Sequence, residues 1–170
     1  GNLYPMFKKL FGLGSKTNEE TIVAPLTGAV KNIEEVPDPV FAGRMMGDGV
    51  AIDPTEGVVV SPVDGEIVQL FHTKHAIGIK AKNCTEILIH VGLETVKMEG
   101  EGFEAHVSEG QAVKAGDKLI SFDLELIREK AKSTITPIVI TNTDAAESIK
   151  TTVGVTATKG STEVMKVTMK

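Results

Sequence analysis

The chain predicts an all-β protein, an antiparallel sandwich or barrel-like body with internal duplication and little helix. Three observations predict it. Short apolar runs alternate at strand length, turn residues separate them at close intervals (17 Gly and 7 Pro among 170 residues), and aromatics are few with Trp absent. This length fits one domain with a substantial core and at most a short appendage.

A formal net charge of −5 argues against a nucleic-acid surface, which ordinarily presents a basic patch, and favours basic proteins or small molecules as partners. The single cysteine, Cys84, cannot form an internal disulfide. No run of about 20 apolar residues offers a membrane span, so the expectation is a cytoplasmic protein, at most peripheral at the inner face of the membrane.

Residues 1–20 read as a leader. Leu3, Met6, Phe7, Leu10, Phe11 and Leu13 follow helical apolar spacing with Lys8, Lys9 and Lys16 between them, which suits contact of residues 3–16 with an anionic membrane. The competing expectation is a flexible leader or added remnant, because the chain begins with Gly1 and Met6 offers a start. The folded domain is expected over residues 21–170.

That domain opens with an internal echo. Ala24-Pro25-Leu26-Thr27-Gly28-Ala29-Val30 matches Ser61-Pro62-Val63-Asp64-Gly65-Glu66-Ile67, and each copy is followed by a Gly-Asp phrase, at Gly47-Asp48 and Gly116-Asp117, leading into apolar alternation. Two related β units packed as one body are expected. Asp123 reads as the N-cap of one short helix, with Leu124, Ile127 and Ala131 on one face and Lys130 and Lys132 toward its end. Further strands follow at Ile138-Val139-Ile140, Val153-Gly154-Val155 and Val164-Met165-Lys166-Val167.

The most informative phrase is a hairpin centred on Lys82-Asn83, flanked by His75-Ala76-Ile77-Gly78-Ile79-Lys80 and Glu86-Ile87-Leu88-Ile89-His90-Val91. A two- or four-residue loop there pairs Ala81 with Cys84, Ile79 with Glu86, Ile77 with Leu88, and His75 with His90. Side chains directly opposed in this way lie about 4.5–5.5 Å apart at Cβ, close enough to share a proton, a phosphate or a metal ion. His72, three residues before His75, is expected to point away from it, and His106 to sit in an exposed polar loop.

Three stretches carry a family resemblance: Ser61-Pro62-Val63-Asp64-Gly65-Glu66-Ile67, Thr73-Lys74-His75-Ala76-Ile77-Gly78-Ile79, and Leu88-Ile89-His90-Val91-Gly92-Leu93-Glu94-Thr95-Val96, with Val36-Pro37-Asp38-Pro39-Val40-Phe41 and Gly47-Asp48-Gly49 upstream. From about Thr21 to Lys170 the chain resembles the glucose-type enzyme IIA (EIIA) proteins of the bacterial phosphoenolpyruvate-dependent sugar phosphotransferase system. The resemblance implies a β-sandwich domain that takes a phosphoryl group from the phosphocarrier HPr on a histidine and passes it to a cysteine of a sugar-specific IIB (EIIB) domain. It implies His90 as acceptor, His75 as its partner, and Thr73 as the group that orients His75. Gly78, Pro39 after Asp38, and Lys97 depart from the family pattern, while His72 and His106 match no family motif.

The chemistry agrees with that assignment. A neutral imidazole is a good nucleophile toward phosphorus, and phosphoryl transfer asks mainly for positioning and stabilisation of charge on the equatorial oxygens, so no cofactor is required. Backbone N–H groups near Gly92 are expected as further donors, with Gly92 itself keeping bulk away from the acceptor. An apolar rim for partners is expected from Val40, Phe41, Met45, Met46, Phe71, Leu88 and Val96, with Asp38 and Glu94 as an acidic margin steering a basic carrier. Regulated transporters or enzymes are further possible partners.

Two other readings stay open at this level. One is a zinc hydrolase using His75, His90 and a third ligand, although no His-x-His or His-Glu-x-x-His phrase is present. The resemblance also permits His75 and His90 to hold zinc where a partner supplies a carboxylate. The other is a biotinyl- or lipoyl-like carrier domain, with Lys97-Met98 as the attachment phrase beside Glu109-Gly110-Gln111 and Gly116-Asp117.

Overall fold

The alternating runs pair into fourteen strands among the described residues, with two short α-helices and three single 3-10 turns. The computed structural model describes residues 18–170, so the amphipathic expectation for residues 3–16 lies outside them. In chain order the first half contains β1 (Glu19–Val23), β2 (Gly28–Asn32), α1 (Pro39–Ala42), β3 (Asp48–Pro54), β4 (Val58–Val60), β5 (Gly65–Leu70), β6 (Ala76–Ala81) and β7 (Glu86–His90). The second contains β8 (Phe103–Ala105), β9 (Ala112–Val113), β10 (Lys118–Phe122), α2 (Leu124–Lys130), β11 (Thr136–Ile140), β12 (Ala146–Thr151), β13 (Thr156–Ala157) and β14 (Glu163–Met169). Asp123 caps α2 by accepting from the Leu126 N–H, as the sequence predicts.

All named pairings are antiparallel. An eight-stranded sheet runs β13-β2-β3-β11-β7-β6-β5-β9, and two three-stranded sheets run β1-β14-β12 and β4-β10-β8. The orders mirror each other about a line between β11 and β7. The expected duplication is visible in reciprocal hydrogen bonds: Val23 N donates to Pro62 O and Val60 N to Pro25 O, while Gly160 N donates to Ala24 O and Gly116 N to Ser61 O. The second pair corrects one detail of the echo. Gly116 corresponds to Gly160, not Gly47, which lies just before β3 instead.

One face of the eight-stranded sheet supplies Val30, Val50, Ile52, Ile67, Ile77, Ile79, Ile87, Ile89, Ile138 and Ile140 to the main core, joined there by Ile22, Val59, Leu119, Ile120 and Val164 from the small sheets. The opposite face carries a second apolar cluster. Ala51, Ala76, Leu88 and Val139 lie there under Ile33, Val36 and Phe41 of the connection between β2 and β3. This connection forms a strap across the sheet, made of the 3-10 turn Ile33–Glu35 and α1. Asn32 starts the turn with a capping box and Asp38 caps α1 with Pro39 in its first turn, so the departure at Pro39 is a helix-start residue.

The hairpin register differs from the expected one by a single residue. Ala76 pairs with His90, Ile77 with Ile89, Gly78 with Leu88, and Lys80 with Glu86. The cause is a three-residue loop, Lys82-Asn83-Cys84, closed by Cys84 N donating to Ala81 O and Ala81 N to Thr85 O. Cys84 adopts φ 75°, the left-handed position that closes such a loop and usually falls to Gly. Asn83 pins the loop: its amide donates to Asn18 O and Val167 O, and its Oδ1 accepts from the Thr85 N–H and hydroxyl.

Candidate functional site

His90 closes β7 on the strap side of the sheet, the face it shares with Ala76 and Leu88. In the observed register His75 falls opposite Val91, and a regular strand would aim it at the other face. It precedes β6, however, in a bend where Lys74 has φ 60° and His75 O accepts from Val91 N. The bend returns its ring to His90. The ring centroids lie 4.9 Å apart at an interplanar angle of 84°. The meeting expected from direct opposition is therefore achieved by a bend at a strand end.

Each ring has one nitrogen committed. His90 Nδ1 lies 2.8 Å from Gly92 O. A carbonyl only accepts, so Nδ1 carries the proton and, in the neutral ring, Nε2 carries the free lone pair. Thr73 Oγ1 lies 2.5 Å from His75 Nδ1. Aromatic neighbours frame both rings, with Phe41 5.1 Å from His90 and Phe71 5.5 Å from His75 between centroids.

Burial favours the neutral form of both imidazoles. It pushes His75 down to about 4, with the adjacent His90 adding to the effect. Burial also lowers His90, against the opposing pull of the Gly92 carbonyl and the Asp38 charge. His90 is half-buried, whereas His75 is 4% exposed. His90 is thus the more accessible of the two rings.

The expected rim divides. Val40, Met45 (76% exposed), Met46 and Val96 (52%) present apolar surface, and Phe71 is half-buried. Phe41 and Leu88, at 5% and 6%, do not: Phe41 packs against His90 as the wall behind it, and Leu88 lies in the cluster beneath the strap. Asp38 is half-buried at the head of α1, and Glu94 is exposed in an ion pair with Lys97 at 2.8 Å, so the charge of Lys97 is largely offset. Lys97 also holds the Glu94 carboxyl below the usual carboxylate range.

Gly92 serves otherwise than expected. Its N–H is spent on Thr136 Oγ1, and at φ 73° a Cβ would lie 2.7 Å from Thr95 Cγ2 and 2.9 Å from Ser133 O. Its contribution is the carbonyl that orients His90, which residue type alone does not signal. His72 and His106 are exposed, the latter bonded through Nε2 to Ser121 Oγ at 2.7 Å.

The other readings lose their footing. Among the described residues no group of three or more His, Cys, Asp or Glu could hold a metal ion, so the pair would give zinc two of the four ligands it prefers. Lys97-Met98 lies in a 3-10 turn with Met98 buried, not at a hairpin tip.

A duplicated antiparallel body that brings two neutral imidazoles together beside an apolar margin is built for passing a small group between proteins. The family model of the phosphoenolpyruvate-dependent sugar phosphotransferase system, EIIA 1, matches residues 20–146. The chain belongs to that family. It is 99% identical over 165 residues to the PTS system glucose-specific EIIA component of Bacillus anthracis, covering 97% of this chain and 100% of the relative. The glucose-specific EIIA component of Halalkalibacterium halodurans is 62% identical, covering 82% of this chain and 84% of the relative. The solved glucose permease IIA from Mycoplasma capricolum superposes with a TM-score of 0.81 at 40% identity, covering 87% of this chain and 95% of that one. As an EIIA component, the protein accepts a phosphoryl group from HPr and passes it to EIIB.

Proposed function

We propose that the phosphoryl group travels on His90 Nε2, as a phosphohistidine, during uptake of glucose or a closely related sugar in the cytoplasm. The observation that carries this is the bond from His90 Nδ1 to the Gly92 carbonyl, which leaves Nε2 as the nucleophile. In this reading the Thr73 hydroxyl, 2.5 Å from His75 Nδ1, donates to it, which puts the His75 proton on Nε2. From there it donates to a phosphoryl oxygen as charge gathers in the transition state. Asp38 draws a basic carrier to this margin, with Glu94 adding what its ion pair with Lys97 leaves unbalanced, and Val40, Met45, Met46 and Val96 supply the apolar contact. Transfer by this route requires no cofactor. Where a partner adds ligands, His75 and His90 are the residues that would hold zinc.

The test is incubation with phosphoenolpyruvate, enzyme I and HPr, followed by mapping of the acid-labile phosphoryl group. One group on His90, abolished in His90→Ala, is the expected result; a label retained in that variant overturns the assignment. His75→Gln is expected to accept a phosphoryl group but pass it to EIIB at least tenfold more slowly. Normal onward transfer removes His75 from the mechanism.

A further inference from the structure

Two arms of the chain hold the His90 ring. One is the bend after β7, whose Gly92 carbonyl accepts from the Nδ1–H; the other is the strap, whose Phe41 packs against the ring from a helix capped by Asp38. The arms lie far apart in sequence. Between them stands Lys132, just beyond α2. Its backbone N–H donates to Leu93 O and the next residue's carbonyl, Ser133 O, accepts from Leu93 N, which fastens it to the first arm. Its ammonium donates to Pro37 O at 2.7 Å, the residue before the Asp38 cap, which fastens it to the second.

The geometry points to Lys132 as a positioning residue for phosphoryl transfer: one side chain ties the strap to the His90 bend and so fixes the orientation of the nucleophile. This rests on the reading of His90 as the acceptor. The ammonium also lies at the acidic margin, where it acts after Lys97 in holding the Glu94 carboxyl ionised. Loss of the tie should therefore reduce the rate of the bound complex without weakening encounter with a basic donor, because removing a cation leaves the margin more negative.

The experiment is single-turnover transfer from phospho-HPr to Lys132→Met, which keeps an apolar stem but no donor, and to Lys132→Arg, which restores one. The expected result is a maximal rate reduced about five- to twentyfold in the Met variant, with the half-saturating donor concentration unchanged or lower, and recovery to within about threefold in the Arg variant. Imidazole ¹⁵N spectra should show His90 as a single Nδ1–H tautomer in the unsubstituted protein and a tautomer mixture in Lys132→Met. A folded Met variant with unaltered maximal rate and tautomer overturns the proposal. Should Lys132→Met not fold, Lys132→Leu, which also lacks a donor, is read by the same two measurements. Phosphoryl mapping on the unsubstituted protein is the separate control: a label away from His90 refutes the acceptor assignment, whatever the Lys132 variants do.

Discussion

In the proposed mechanism, hydrogen bonds to single ring nitrogens divide the labour between the two histidines. The bond to the Gly92 carbonyl leaves His90 Nε2 as the proposed nucleophile, and the Thr73 hydroxyl beside Nδ1 suits His75 to the proposed donor role. Burial holds His75 at about 4, far below its ordinary value near 6.5, so the folded state disfavours its protonation. Stability from this group is complete above about pH 6.5 and is lost as the pH falls toward 4, because only the unfolded chain takes up the proton in that window. At 1.36 kcal/mol per unit this amounts to roughly 3 kcal/mol by pH 4. Urea unfolding of the unsubstituted protein and His75→Gln at pH 7 and pH 4.5 checks it. The unsubstituted protein should lose about 2–3 kcal/mol more than the variant between the two, and parallel losses would show that His75 does not carry the effect.

At the scale of elements, the three-residue loop decides the register of β6 and β7 and forces Cys84 to φ 75°. Glycine adopts this conformation without a Cβ penalty, against which its larger unfolded-state entropy counts. Cys84→Gly is expected to raise stability by about 0.5–1 kcal/mol, read as a higher urea midpoint, with phosphoryl transfer unchanged. The loop lies at the far end of the hairpin from the histidines. The strap is the other element on which the site depends. Arg44, itself at φ 60°, joins Glu34 in its first turn to Asp48 at the start of β3, with both contacts at 3.0 Å. These pairs are largely exposed and screened, so Arg44→Ala is expected to cost no more than about 1 kcal/mol in thermal or urea unfolding.

At the scale of the molecule, the duplication gives one frame and the two halves use it differently. The β6/β7 pairing Ala76 with His90 corresponds to the β3/β11 pairing Gly49 with Val139. Val139 thus stands where the other half has His90, and Asp48 where it has His75. Both halves retain glycine at the start of the strand after the repeated Pro phrase. A Cβ on Gly28 would lie 2.0 Å from Asp53 O, and one on Gly65 2.2 Å from Lys80 O, both backbone atoms unable to yield cheaply. Gly28→Ala and Gly65→Ala should each destabilise by about 1–3 kcal/mol in urea unfolding. A neutral effect at either would break the equivalence of the halves.

The sequence by itself determined the β class, the duplicated Pro-to-Gly phrases, the short helix after Asp123 and the nearness of His75 to His90, though not the register expected to bring them together. These are written in local patterns: alternation, turn residues and capping side chains act over a few neighbours. Tertiary structure decided the hairpin register, because a cysteine in the left-handed position gives no glycine signal, and it separated the buried Phe41 and Leu88 from the exposed methionines. It also decided which atoms orient the rings. A backbone carbonyl like that of Gly92 is present in every residue type, and the contact of Lys132 with Pro37 spans 95 positions of chain, so residue identity alone announces neither.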